Sequence, residues 1–316
     1  MAITLKAYCS AGSKVLLIDP NMGGHSSTAG VAKHLGISPI FLPYTDTSKL
    51  DVDRLARVLR SENISLIYLD QSNCLFPVDV SILRNVITDI NSETKLHVDT
   101  SHINGLILGG ALENPLRLGA DSFGGSFHKS FPGPHKGFFA TNDPRISKEF
   151  SACANLLVSH HHAGEMLALA VSLIEFECCG GAAYARQMVT NAQAFGRVLS
   201  TAGLTVAGAD GNFTKTHQVW VINDTILDGT ATSQRLYEAG LIVNSFGYLP
   251  GFPSGGVRLG LNEVTRYGLL KEHSEQLAAI FADVVSRGRM ETNQRLVTSL
   301  RKQFSEPAYC FTSMEF

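Results

Sequence analysis

Between residues 14 and 99, four short apolar runs alternate with segments of helical periodicity, and that alternation leaves few folds open. Lys14-Val15-Leu16-Leu17-Ile18-Asp19 reads as a buried strand, residues 39–44 as a second, 65–70 as a third and Leu96-His97-Val98-Asp99 as a fourth. In 51–60, Val52, Leu55, Val58 and Leu59 fall at helical spacing, 78–90 reads as a second amphipathic helix, and Ser26-Ser27-Thr28 is placed to cap a short helix reaching Leu35. Strands apolar along their whole length, separated by helices, require a mostly parallel sheet covered on both faces. Ligands of such sheets bind beyond the carboxyl ends of the strands. Asp19, Asp70 and Asp99 all fall at or near those ends.

Further along, residues 136–140 suggest one more strand, and 164–177 is apolar almost all round, the mark of a buried helix. A long helix over 182–202 would bridge to a second domain, with strands at 217–222, 241–245 and 257–261 and helices at 231–239 and 270–287. The expected architecture is α/β: a large domain over 1–185 and a small α+β C-terminal domain over 186–316.

The 316 residues are 44% hydrophobic, enough for a sizeable core, and only 17% charged. About a quarter is usual, so more surface is expected to be buried than a monomer buries, which points to an oligomer. The net charge is -2 with no basic stripe, so no nucleic-acid partner is expected. No membrane span is expected either, because the longest apolar run, from Met166 to Ile174, falls far short of about 18 residues. The first residues lack a signal peptide's basic start and apolar core, and six cysteines without C-x-x-C spacing read as free thiols. A cytoplasmic setting is the expectation. His160-His161-His162 do not share a helical face, and no metal site is expected.

Two residues carry the chemistry. Asp99 ends a buried strand, and Lys129 lies in a small polar turn, Ser126-Phe127-His128-Lys129-Ser130. Pyridoxal phosphate (PLP) needs a lysine amine to form a Schiff base with its aldehyde. It also needs an acid opposite its pyridine nitrogen, so that the ring acts as an electron sink. Taken singly, Asp99 also suits a helix N-cap and Lys129 a solvated surface. Arg258 lies within an apolar strand, where a guanidinium demands a partner: a substrate carboxylate held bidentately, or a structural ion pair.

Around these residues the chain resembles the serine hydroxymethyltransferase family. Val98-Asp99-Thr100-Ser101-His102-Ile103-Asn104-Gly105 is similar to its V-D-x-A-H-x-A-G, and His128-Lys129-Ser130 followed by Gly133-Pro134 resembles its H-K-T-x-x-G-P. Ser254-Gly255-Gly256-Val257-Arg258-Leu259-Gly260 resembles S-G-x-R-x-G, and Gly24-His25-Ser26 matches the second histidine of H-G-G-H, the first being replaced by Met22. The resemblance covers about residues 1–290 and implies PLP fold type I. It implies Lys129 as the Schiff-base lysine, Asp99 at the pyridine nitrogen, and His25 stacked on the cofactor ring. Ser72 and His102 would lie near the phenolic oxygen, Ser126 and His128 at the cofactor's edge and phosphate, and Arg258 on the substrate carboxylate. The three histidines 160–162 fall near the family loop that reaches a neighbouring subunit's cofactor phosphate, and one of them is expected to do so.

Two departures shape the functional expectation. The family's phosphate loop and its substrate and folate arm would lie before Met1, so a complementary N-terminal chain and a hetero-oligomer, one half of a split enzyme, are expected. The loop before Arg258 is shortened, and Phe246 stands where the family has a folate-binding asparagine, which counts against tetrahydrofolate. The expected function is a PLP-dependent transferase or aldolase that makes or breaks a Cα bond of a glycine- or serine-type substrate through an external aldimine. Hydroxymethyl, aldol or transaldol, and Cα-alkyl transfer stay open. The alternatives are a non-catalytic or regulatory subunit of a full-length homologue and another fold type I PLP reaction.

Overall fold

The structure is a computed structural model that describes residues 1–45, 49–90, 93–224 and 228–312. The chain divides into two compact units, one of Met1–Asn73, Pro77–Ile107 and Leu112–Ser172, the other of Cys74–Phe76, Leu108–Ala111 and Leu173–Phe316.

In the first unit, helices α1 (Ala2–Tyr8), α2 (Thr28–His34), α3 (Val52–Ser61), α4 (Val80–Asp89), α5 (Asn104–Leu108) and α6 (Pro144–Leu157) interleave with strands β1 (Lys14–Leu17), β2 (Ser38–Phe41), β3 (Ile64–Asp70), β4 (Lys95–Asp99), β5 (Ser122–Ser126) and β6 (Gly137–Ala140). Helix α7 (Ala163–Cys178) follows. The strands form one sheet in the order β2-β1-β3-β4-β5-β6. All neighbours are parallel except β6, which turns back antiparallel to β5. Alternate residues of each strand feed opposite faces. Leu16, Ile67, Leu69, Leu96 and Val98 join Leu55, Leu59, Leu83 and Ile87 of α3 and α4 in one core. Val15, Leu17, Leu66 and Tyr68 join Leu5, Cys9 and Ala32 on the other face, beside α1 and α2. The unbroken apolar runs therefore exist because both faces are covered.

Three of the differences from the expectation have a clear physical cause. Ser27 stands at the N-cap of α2 but makes no side-chain cap, since its hydroxyl bonds the His25 ring instead. Strand β5 carries no apolar run. Its Gly124 and Gly125 pass so close to neighbouring backbone that an added Cβ would lie 2.4 Å from the Phe138 carbonyl oxygen and 2.5 Å from the Ser101 nitrogen. Helix α7 is not buried: only Phe176 is, whereas Leu167 is 69% exposed and Met166, Val171 and Ile174 are exposed too. Apolar residues all round record a helix that needs cover, which the described residues do not supply.

In the second unit, α8 (Gly181–Thr201) leads into β7 (Gln218–Ile222), α9 (Gly229–Glu238), β8 (Asn244–Phe246), β9 (Gly256–Gly260), α10 (Asn262–Arg266), α11 (Lys271–Arg287) and α12 (Met290–Lys302). The strands form an antiparallel sheet in the order β7-β9-β8. Val219, Val221 and Val257 pack beneath Phe195 and Leu199 of α8 and Phe281 and Val285 of α11, with the Phe195 and Phe281 rings edge to face at 5.7 Å. Among the described residues, no single helix is long and apolar enough to cross a membrane.

Candidate active site

The site is built from the ends of β3 and β4. In register, Tyr68 pairs with His97 and Asp70 with Asp99, and alternation turns all four toward the α1/α2 face. The wholly buried Tyr68 donates to Asp99 Oδ2 at 2.7 Å, and the Ser101 amide donates to Oδ1 at 3.0 Å. Burial alone would raise the Asp99 pKa. The hydrogen bonds from Ser101 and Tyr68, with the nearby His97, outweigh it and hold the carboxyl below its ordinary range. His97 has the reverse fate: burial pushes its imidazole down to about 3, so it is neutral. It stacks between Tyr68 (5.0 Å) and Phe139 (5.7 Å), with Nδ1 2.8 Å from Ser122 Oγ.

Lys129 is positioned by the turn around it. Phe131 is fully buried, the Gly133 amide donates to the Phe127 carbonyl, and Ser130 Oγ accepts from the Gly105 amide at 3.0 Å. Only glycine fits at Gly105, since a Cβ would lie 2.4 Å from the Ser130 carbonyl oxygen. The turn is thus fastened against α5, and Lys129 Nζ sits 3.3 Å from His102 Nε2.

His25 follows a tight loop in which Asp19 accepts from the Asn21 amide and Gly23 is left-handed at φ 100°. The Gly23 carbonyl accepts from the Ser72 and Asn73 amides, tying this loop to the one after β3. His25 Nδ1 is 2.9 Å from Ser27 Oγ and 3.3 Å from the Ser27 amide. Burial and then the positive Lys129 lower its pKa, partly offset by Asp99.

One cavity of about 540 Å³ is bordered by His25, Ser72, Asp99, His102, Ser126 and Lys129 together. His128 is not among its lining residues. It is exposed, with its ring 4.2 Å from that of His135. His161 of the triplet does border the cavity, and its carbonyl accepts from Lys136. Among the described residues, no three His, Cys, Asp or Glu side chains gather as metal ligands. Arg258 belongs to the second unit, on β9, where its guanidinium carbon lies 4.6 Å from the centre of the Phe246 ring and burial lowers its pKa.

Tyr68 and His97 were not expected at the site, nor was Thr28, whose hydroxyl donates to the cavity-lining Asp70. Their signal was present as polar residues at alternate positions of β3 and β4, and as a threonine opening α2.

The cavity fits PLP. Its size lies within the roughly 300–1,000 Å³ of small-ligand sites. An ionised aspartate and a lysine amine both border it, and the buried Ser126 hydroxyl has no hydrogen-bond partner among the described residues. At the carboxyl edge of a mostly parallel sheet, this set defines a PLP-dependent enzyme of fold type I.

Comparison with known proteins agrees. The family model described as serine hydroxymethyltransferase matches residues 3–281. An L-threonine:uridine-5'-aldehyde transaldolase from a Streptomyces species is 40% identical over 310 residues, 98% of this chain and 72% of that protein. A serine hydroxymethyltransferase from Sulfolobus acidocaldarius is 33% identical over 98% of this chain and 73% of its own length. The crystal structure of L-threonine transaldolase from Pseudomonas fluorescens in its internal aldimine state superposes with a TM-score of 0.90 at 29% identity, over 100% of this chain and 74% of that one. The chain belongs to the serine hydroxymethyltransferase family and is a PLP-dependent enzyme of the transferase and aldolase type. Enzymes of this family act on amino acids and typically assemble as oligomers.

Proposed function

We propose that the chain catalyses a folate-independent transaldol exchange on a β-hydroxy amino acid such as L-threonine. The Cα–Cβ bond breaks, acetaldehyde leaves, and Cα bonds to the carbonyl carbon of a second aldehyde. The proton lost from the departing hydroxyl is balanced by the one gained by the new hydroxyl. The observation that carries the reading is the Phe246 ring against Arg258, where the family resemblance implies a polar folate contact. Identity of 40% with a threonine transaldolase supports it.

PLP, when bound, supplies an aldehyde for the amino group and a protonated ring that draws electrons from the bonds at Cα. Lys129 provides the amine that holds it. His102 Nε2, 3.3 Å away, takes the proton that an ammonium must lose to become a nucleophile. Asp99, kept ionised and fixed by Tyr68, would hold the ring nitrogen of the bound cofactor in its protonated form. His25 Nδ1 accepts from the Ser27 amide, so the neutral imidazole carries its proton on Nε2 and packs as an uncharged plane. Ser72 and Ser126 offer hydroxyls to the polar edge. The family resemblance gives Arg258 the substrate carboxylate, which a guanidinium fork would hold bidentately, and the Phe246 ring lies against that guanidinium in cation–π contact. Part of the same reading is a complementary polypeptide that completes the assembly, as the low charge content and the exposed apolar residues of α6 and α7 favour. A monomeric chain that binds PLP tightly by itself would contradict that part.

Incubation with L-threonine and an aldehyde, with and without tetrahydrofolate, tests the exchange. Acetaldehyde and a new β-hydroxy amino acid are expected in equal amounts without folate. Serine–glycine interconversion that requires folate, with no exchange product, would overturn the proposal.

A further inference from the structure

Asp70 closes β3 as Asp99 closes β4, and the two are register partners on adjacent parallel strands. Paired positions face the same way, so both carboxyls lie on the α1/α2 side, and both border the cavity. Their surroundings differ. Asp99 is met by Tyr68 and Ser101. Asp70 is 3% exposed and accepts from the Thr28 hydroxyl through Oδ2, while Oδ1 is shut off from solvent and, among the described residues, meets no donor in hydrogen-bonding geometry.

Burial raises the Asp70 pKa to about 7. The Thr28 hydroxyl favours its charged form, the charge of Asp99 opposes it, and the nearby backbone amides of His25 and Asp70 favour it weakly. The groups facing it are thus Asp99 from β4, Tyr68 from β3, and His25 and Thr28 from the loop and helix beyond β1. Among them only Asp99 is ionised at neutral pH.

Leaving a buried carboxyl oxygen without a donor costs stability, and the charge of one desolvated carboxyl opposes ionisation of its neighbour. We propose that Asp70 is an auxiliary anion of the cofactor site, protonated beside Asp99 when the cavity is empty and releasing its proton to solvent when the cavity takes up the positively charged pyridine ring. Asp70 acts through Asp99 as a positioning residue, and cofactor loading near neutral pH is coupled to proton release. The inference rests on the cofactor, not on the acceptor aldehyde of the transaldol reading.

Infrared difference titration of the carboxyl band tests it, with the protein free and in excess PLP. In the free protein, a protonated-carboxyl band is expected to vanish through neutral pH and to be missing from Asp70→Asn. Excess PLP should move its midpoint about one pH unit or more to the acid side, equivalent to a tenfold tightening of PLP across the transition. Accordingly, the ratio of the Asp70→Asn Kd to the wild-type Kd should be near one in acid and about tenfold in alkali, whereas a merely structural role would leave it flat with pH. Thr28→Val removes the donor that favours the charge and should move the midpoint upward with and without PLP, a readout that does not need Asp70→Asn to fold. A midpoint unmoved by PLP, a band surviving in Asp70→Asn, or an unchanged midpoint in Thr28→Val overturns the proposal. No substrate is present, so failure here is distinct from failure of the exchange reaction.

Discussion

Asp70 and His97 pull the stability of the cofactor-free protein in opposite directions with pH. Folded Asp70 keeps a proton that the unfolded chain has already released, so stability falls as pH rises from its ordinary 3.8 to about 7, by up to ~4 kcal/mol. Folded His97 refuses a proton that the unfolded chain accepts, so stability falls as pH drops from 6.5 toward about 3. Asp70→Asn is therefore expected to raise the thermal midpoint at neutral and alkaline pH and to leave it nearly unchanged near the ordinary carboxyl pKa. Thermal unfolding followed across pH checks this. Tyr68→Phe removes a donor from buried Asp99, and about 1–3 kcal/mol of stability should go with it, together with a higher Asp99 pKa and weaker PLP binding. Asp99 and Lys129, which border one cavity, stood out in the sequence because their chemistry is rare in combination. Tyr68 and His97 did not, because an aromatic residue in an apolar run reads first as core, and only the register of β3 on β4 shows what it touches.

At the scale of elements, the patterned segments were the readable ones. Helices α3, α4, α8 and α11 carry periodic apolar faces, and β1, β3, β4 and β7 are runs that both sequence and structure bury. Strand β5 escaped because its glycines serve close backbone approach and not packing. Gly125→Ala, whose Cβ would lie 2.5 Å from the Ser101 nitrogen, is expected to cost at least ~2 kcal/mol and to displace Ser101 from Asp99. Denaturant titration measures the first effect and PLP affinity the second. Ser27 misled for a different reason. A hydroxyl can bond its own helix or a neighbouring ring, and local sequence does not choose between them.

For the whole molecule, composition anticipated something that one chain leaves open. Low charge content and an apolar α7 pointed to burial, yet Leu167, Val171 and Ile174 remain exposed alongside Leu156 and Leu157 of α6. Leu167→Glu is expected to lower the assembled mass in light scattering while leaving the fold intact, because it places a charge on the surface an assembly would cover. The account as a whole depends on Lys129 being the cofactor's anchor. Borohydride reduction of the PLP-loaded protein, followed by peptide mass mapping, tests this most directly. A single pyridoxyl group on Lys129 is the predicted result; a group fixed on Lys136 or another lysine, or none on any peptide, would contradict it.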